Sequence, residues 1–364
     1  MRAIVVRPPT PGAELKDVPP PQLVPGGVRV RVVEVGVCGT DRDIVAGKYG
    51  RPPPGASEMV LCHENLGTVV EVGPGATGVS VGDLVVATVR RGCGRCRFCL
   101  TNRSDFCETG AFTERGIAGA DGFLADEYVE TPEYLVAVPP AARAVAVLLE
   151  PLSVVEKAIR MGQAVLDRKE PTPGRPRTRT PSALVAGTGA VGMLAALVLR
   201  VRGYDVVAID RHDAPATTHP LARIGARHVD VHAGFAALGG ARFDLVIEAS
   251  GSVPLDFDLV DVLAPNGVLV LTGIPDADAP PTSVQGGPLF RGIVLSNQAV
   301  VGSVNANRSY FESGRRDLLA LEERWPGVAA GLISSRRPLE RWREVLVDRP
   351  EASIKNVLTV APPQ

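Results

Sequence analysis

At 364 residues the chain is too long for one ordinary domain and suits two, each large enough to bury its own core. Its 39 basic residues nearly balance its 40 acidic ones, which argues against the one-sided field of a nucleic-acid or membrane-surface binder and leaves a small molecule as the expected partner. The opening stretch MRAIVVRPPTPGAELK holds only a four-residue apolar run before Arg7, too short for a secretory signal, and no later run could span a bilayer, so a cytoplasmic protein is expected.

Up to about Val138 the chain reads as short apolar segments broken by Gly and Pro, among them GVRVRVVEVGVCG, GTVVEVG, GDLVVATV and YLVAVP. Short alternating strands at this spacing predict a β-rich, barrel-like domain. AVAVLLEPLSVVEKAIRMG then takes on helical periodicity, and DRKEPTPGRPRTRTPSA, basic and rich in proline, reads as a loop or linker. After it the order is strand, helix, strand: SALVAG, AVGMLAALVLRVRG, DVVAID, then FDLVIEAS and GVLVLTG. Apolar runs without alternation suit parallel strands buried on both faces, so an α/β doubly wound sheet is expected. The remainder mixes helix with a last strand at KNVLTV.

In this second half VAGTGAVG supplies Gly187-x-Gly189-x-x-Gly192 between a predicted strand and a predicted helix. The glycines would give a tight turn, room for a pyrophosphate and close helix-on-strand packing, with the phosphates at the helix N-terminus. Gly187, Thr188, Gly189, Ala190, Val191 and Gly192 are therefore the candidate dinucleotide turn. The next strand ends at Asp210, about twenty residues on, where a carboxylate can hold the adenosine ribose and repel a 2′-phosphate. NAD is favoured; the neighbouring Arg211 and His212 keep NADP possible.

All six cysteines (Cys38, Cys62, Cys93, Cys96, Cys99 and Cys107) fall in the first third of the chain. In a reducing compartment such crowding points to metal rather than disulfides. Cys93-x-x-Cys96-x-x-Cys99, then Cys107 after seven more residues, put four thiolates in one loop. Four thiolates fill a tetrahedral zinc shell and leave no position for substrate, so this zinc is structural; an iron–sulfur cluster is the minor alternative. A catalytic zinc needs three ligands and an open position. Cys38, the lone N-terminal-half histidine His63, and a carboxylate from Glu64 or Glu150 would supply a mixed sulfur, nitrogen and oxygen set.

GVCGTDRDI, CHENLGTVVEVG, GDLVV, the four-cysteine lobe, EPLSVVEKAI and GTGAVG occur in the order found in zinc-dependent medium-chain dehydrogenases. The chain resembles most the archaeal and bacterial glucose 1-dehydrogenases, through RRGCGRCRFCLTNRSDFCETG, FTERGI and GSVNANRSYFESG. The resemblance implies a GroES-like catalytic domain over 1–155, rejoined by 305–364, a Rossmann domain over 156–304, an active site in the cleft, and a homodimer or homotetramer. It also implies roles: Cys38, His63 and Glu150 as the catalytic zinc shell, with Glu64 behind it or exchanging into it, and Thr40 in the proton relay. Glu114 and Asn305 would contact the sugar, Asn305 reaching the cofactor too, and Thr40 and Glu150 would also face the substrate.

Three positions depart from the pattern. Cys62 replaces a glycine before the His-Glu pair, either as a tolerated small residue or as an extra thiol near the metal. Val89 and Val154 stand where the family tends to carry polar groups for sugar hydroxyls, and a hydroxyl left unpaired there would cost roughly 1–3 kcal/mol. The expected activity is hydride transfer from an aldose to a nicotinamide cofactor, giving the lactone. A secondary alcohol, polyol or amino-cyclitol dehydrogenase is the alternative, and a non-catalytic dinucleotide-binding protein the remote one, since Cys38, His63, Glu64 and Glu150 are all retained.

Overall fold

The computed structural model describes residues 1–167, 180–211, 214–276, 278–348 and 353–361, and every count of strands, helices or partners refers to these. His212 and most of the proline-rich stretch lie outside them. The chain forms two compact units, Met1–Ser153 with Asn305–Leu319 and Ile333–Gln364, and Val154–Val304 with Ala320–Leu332.

In chain order the first unit contributes β1 (Arg2–Arg7), β2 (Thr10–Asp17), β3 (Val28–Val37), α1 (Gly39–Val45), β4 (Met59–Val60), β5 (Glu64–Val72), β6 (Leu84–Ala87), β7 (Arg90–Arg91), β8 (Thr113–Arg115), β9 (Gly119–Ala120), β10 (Glu127–Glu130) and β11 (Leu135–Ala137). Helix α2 (Leu149–Leu166) begins in this unit. The second unit carries β12 (Ser182–Ala186), α3 (Ala190–Val201), β13 (Asp205–Asp210), α4 (Pro215–Arg223), β14 (Arg227–Asp230), β15 (Phe243–Glu248), α5 (Val253–Asp261), β16 (Leu263–Leu271), α6 (Gly286–Leu295) and β17 (Ala299–Gly302). Helix α7 (Arg308–Arg324), β18 (Ile333–Pro338), α8 (Trp342–Leu346) and β19 (Lys355–Thr359) complete the chain.

The main sheet of the first unit runs β11-β6-β5-β3-β19-β18, with β10 also on β3. The alternation of VRVRV in β3 buries its valines on one side while Arg29 and Arg31 stay partly exposed. Val28, Val30, Val32, Leu61, Phe123, Leu124 and Tyr128 join one continuous core with Trp342 and Leu358 from the end of the chain. Two three-stranded sheets, β2-β1-β4 and β7-β8-β9, complete the unit. Strand β19 pairs antiparallel with β3, Asn356 opposite Val37, so the last strand borders the turn that leads to Cys38.

The second unit is a six-stranded parallel sheet in the order β14-β13-β12-β15-β16-β17. This is the doubly wound order expected of alternating strands and helices. SALVA, DVVAID and FDLVIE are buried along almost their whole length, which explains why they do not alternate. No helix is long and apolar enough to cross a membrane among the described residues.

Candidate active site

Two groups of metal-ligating atoms converge in the first unit. The sulfurs of Cys93, Cys96, Cys99 and Cys107 all lie within 4.8 Å of one another. The loop wraps tightly because Gly94 and Asn102 take left-handed conformations, at φ 69° and 58°. The Cys99 N–H donates to Cys96 Sγ at 3.4 Å, and the Thr109 hydroxyl together with the N–H groups of Arg95 and Cys96 draws the Cys93 thiol down to about 5. Burial instead pushes Cys99 up to about 12. Four soft donors in this arrangement, one already favouring the thiolate, fit a closed zinc site.

The second group is Cys38 Sγ, a His63 ring nitrogen and a Glu64 carboxylate oxygen, again within 4.8 Å. Cys38 precedes α1 as its N-cap, and its N–H donates to Asp41 Oδ2 at 2.8 Å. The other oxygen of that buried carboxylate, Oδ1, lies 3.3 Å from His63 Nδ1. Nδ1 is thereby turned to Asp41, and Nε2 faces Cys38 Sγ at 3.4 Å. A carboxylate behind the imidazole is how metal-binding histidines are oriented, so the donor set fits zinc. Burial pushes the Cys38 thiol up, while His63 is held well above its usual range: burial opposes its charge, but Cys38 and Asp41 outweigh that.

Glu64 is fixed from its far side. Lys355 Nζ, 2 % exposed like its neighbours in β19, donates to both Glu64 oxygens at 2.6 and 2.8 Å. Across the strand pair Gly36 faces Glu64, and a Cβ there would sit 2.0 Å from Glu64 Oε2, so only glycine leaves room for the carboxylate. Glu150, in the first turn of α2, stands beside this group and outside the converging set; burial raises it to about 7, partly offset by His63. Thr40 is half-buried in the first turn of α1.

Glu114 and Asn305 meet directly, Asn305 Nδ2 donating to Glu114 Oε1 at 2.7 Å. Cys62 is fully buried at φ 69°, a conformation that favours glycine and explains the family's residue there. Burial, then Asp41 and Cys38, keep its thiol well above its usual range, and it is not one of the converging donors. Val89 is packed in the core of the first unit, 2 % exposed, and Val154 is half-buried.

In the second unit Gly187 turns at φ 97°, and a Cβ on Gly192 would lie 1.9 Å from Gly187 O, which makes Gly192 the close-packing position. A Cβ on Gly189 would meet nothing within 4 Å, so that face of the turn is open. Gly189 caps α3 without a side-chain hydrogen bond, leaving the first-turn N–H groups of Ala190, Val191 and Gly192 for an anion. Asp210 Oδ2 accepts from the Thr188 N–H at 2.8 Å and from its hydroxyl at 2.6 Å, while Oδ1 accepts from the Arg211 N–H at 2.7 Å. The carboxylate thus braces the turn, and the Arg211 side chain is exposed.

A family model described as "Glucose dehydrogenase C-terminus" matches residues 143–360, and "Alcohol dehydrogenase GroES-like domain" matches 24–140. The chain belongs to the glucose dehydrogenase family. Among relatives of that family, the glucose 1-dehydrogenase of Thermoproteus tenax is 40% identical over 353 residues, covering 95% of this chain and 96% of that one. The glucose 1-dehydrogenase of Methanocella arvoryzae is 39% identical over 336 residues, 91% of each. Among solved structures, the Haloferax mediterranei glucose dehydrogenase in complex with NADP, Zn and gluconolactone superposes with a TM-score of 0.88 at 30% identity and full coverage of both chains. The GroES-like and doubly wound expectation is met in this member of the glucose dehydrogenase family.

Two residues of the site escaped the sequence reading. Asp41 carries a local signal, since it is three residues past an N-cap and so can reach back to it. Lys355 carries none: it is nearly three hundred positions from its partner, and only the β19–β3 pairing brings the two together.

Proposed function

We propose that this chain is a zinc-dependent glucose 1-dehydrogenase that oxidises the anomeric hydroxyl of D-glucose to the lactone with a nicotinamide cofactor. The observation that carries the reading is the convergence of Cys38, His63 and Glu64, with Glu150 alongside, in a chain similar over its length to glucose dehydrogenases. A zinc ion held by Cys38, His63 and one of the two carboxylates would polarise the sugar hydroxyl and lower its pKa. Asp41 lies against Nδ1 of the His63 ring, which leaves Nε2 for the metal, and Lys355 neutralises Glu64. Thr40 passes the hydroxyl proton toward solvent. Glu114 and Asn305 orient the sugar, and the turn from Gly187 to Gly192 seats the pyrophosphate at the start of α3.

NAD is the preferred cofactor on this reading, because Asp210 repels a 2′-phosphate; Arg211 and His212 leave NADP as an accepted second. The domain roles follow: residues 1–155 with 305–364 act on the sugar, and 156–304 hold the dinucleotide. Purified, zinc-loaded protein is expected to reduce NAD with D-glucose, with a higher kcat/KM for NAD than for NADP. No turnover of glucose by protein that still binds NADH would move the substrate to a less hydroxylated polyol, cyclitol or secondary alcohol, the second reading.

The chain is further read as a homodimer. Strand β17 is an open edge of the parallel sheet, with Val300 44 % exposed, and α6 shows Phe290, Val294 and Leu295 at 66 to 72 %. An apolar edge strand beside an apolar helix suits pairing with a second copy. Light scattering of the eluting protein should give twice the chain mass, and a monomer would overturn this.

A further inference from the structure

We infer that the four-cysteine lobe and the Glu114 carboxylate work as one unit joined by Arg90, so that the lobe sets the enzyme's grip on the sugar. This rests on the reading of Glu114 as a sugar contact. Arg90 in β7 is the cross-strand partner of Glu114 in β8, and both side chains are buried. Its Nε and Nη2 donate to Glu114 Oε1 at 3.1 and 2.9 Å. Its Nη1 donates to Asp105 O, two residues before Cys107, at 3.2 Å. The guanidinium carbon lies over the Phe112 ring, 3.8 Å from its centre, which leaves the group little freedom to move.

A second tie runs beside the first. Asn305 Nδ2 donates to Glu114 Oε1 at 2.7 Å, and two residues on Asn307 Nδ2 donates to Asp105 Oδ1 at 2.8 Å. The strand leading from Arg90 also presses on the lobe, since a Cβ on Gly92 would lie 2.6 Å from Cys99 Sγ. The donors on Glu114 all meet Oε1, which holds that oxygen in place and leaves Oε2 for the sugar. Loosening the lobe shifts Asp105, then Arg90, then that carboxylate. Arg90 is thus a positioning residue.

Coupling between two sites is reciprocal: if the lobe strengthens sugar binding, sugar must steady the lobe by the same factor. The Arg90→Lys variant keeps the charge and loses the planar fork. It is expected to raise KM for D-glucose about tenfold while kcat stays within a small factor and NADH binding is unchanged. In a chelator with iodoacetamide, alkylation of the peptides carrying Cys93, Cys96, Cys99 and Cys107 should be slowed about fivefold or more by D-glucose with NADH in the unaltered enzyme, and not in Arg90→Lys. Should that variant fail to fold, Asn307→Ala, which cuts the second tie, is read the same way. A raised KM in Glu114→Gln beside an Arg90→Lys enzyme with unaltered KM and unaltered sugar protection would overturn the coupling alone. An unaltered KM in Glu114→Gln would overturn the reading of Glu114 and the coupling with it.

Discussion

His63→Ala lowers kcat/KM for D-glucose by about a thousandfold or more. His63 supplies the one nitrogen among the converging donors, and Lewis-acid stabilisation of a developing alkoxide is worth several kcal/mol, each ~1.4 kcal/mol being a factor of ten. Cys38→Ser should act in the same direction, replacing the soft thiolate with a hydroxyl. Metal analysis is expected to fall from two ions per chain to one, because the four sulfurs of the lobe form a separate group. NADH binding, followed by fluorescence, should persist, since the turn from Gly187 to Gly192 and its brace Asp210 belong to the other unit. Asp41→Asn should lose only about ten- to a hundredfold, as is usual for a residue that orients a ligand. Unaltered turnover in either His63→Ala or Cys38→Ser would sink the assignment of the site.

Lys355→Met destabilises the protein by about 3–5 kcal/mol, read as a lower denaturant midpoint for the first unit. Nζ and the Glu64 carboxylate are almost wholly withdrawn from water, at 2 % and 1 % exposure, and removing the cation strands a buried anion. Burial opposes the charge on Lys355, but Glu64 more than compensates and raises its pKa, so the ammonium stays charged through neutral pH. The double variant Lys355→Met with Glu64→Gln should recover much of the loss, because it removes the stranded charge as well as its partner. A single variant that unfolds at the original midpoint would show that this pair contributes nothing to stability.

The parts of the fold that could be read from the chain are those written in local pattern. The unalternating runs SALVA, DVVAID and FDLVIE became neighbouring parallel strands, since a strand covered on both faces has no reason to alternate. The three glycines could be read because each answers a backbone demand within a few residues: a left-handed turn at Gly187, an open face at Gly189, a contact at Gly192 that no Cβ could share. Four cysteines in one loop are legible for the same reason. What was not legible depends on distant pairing. Nothing near Lys355 announces an ion pair with Glu64, and nothing near Arg90 announces that it joins Glu114 to Asp105. Val89 falls between the two cases: the resemblance marks it as a departure at a sugar-facing position, and the structure buries it in the apolar core.

The lysine that neutralises Glu64 arrives on the final strand, and that strand is held between β3 and β18. During synthesis, therefore, Cys38, His63 and Glu64 leave the ribosome long before their counter-charge does. Until β19 docks, Glu64 lacks the partner that makes its burial tolerable, and β3 from Glu34 to Val37 lacks a neighbour on one side. The candidate site of this chain is finished last, although the residues that converge there are made first.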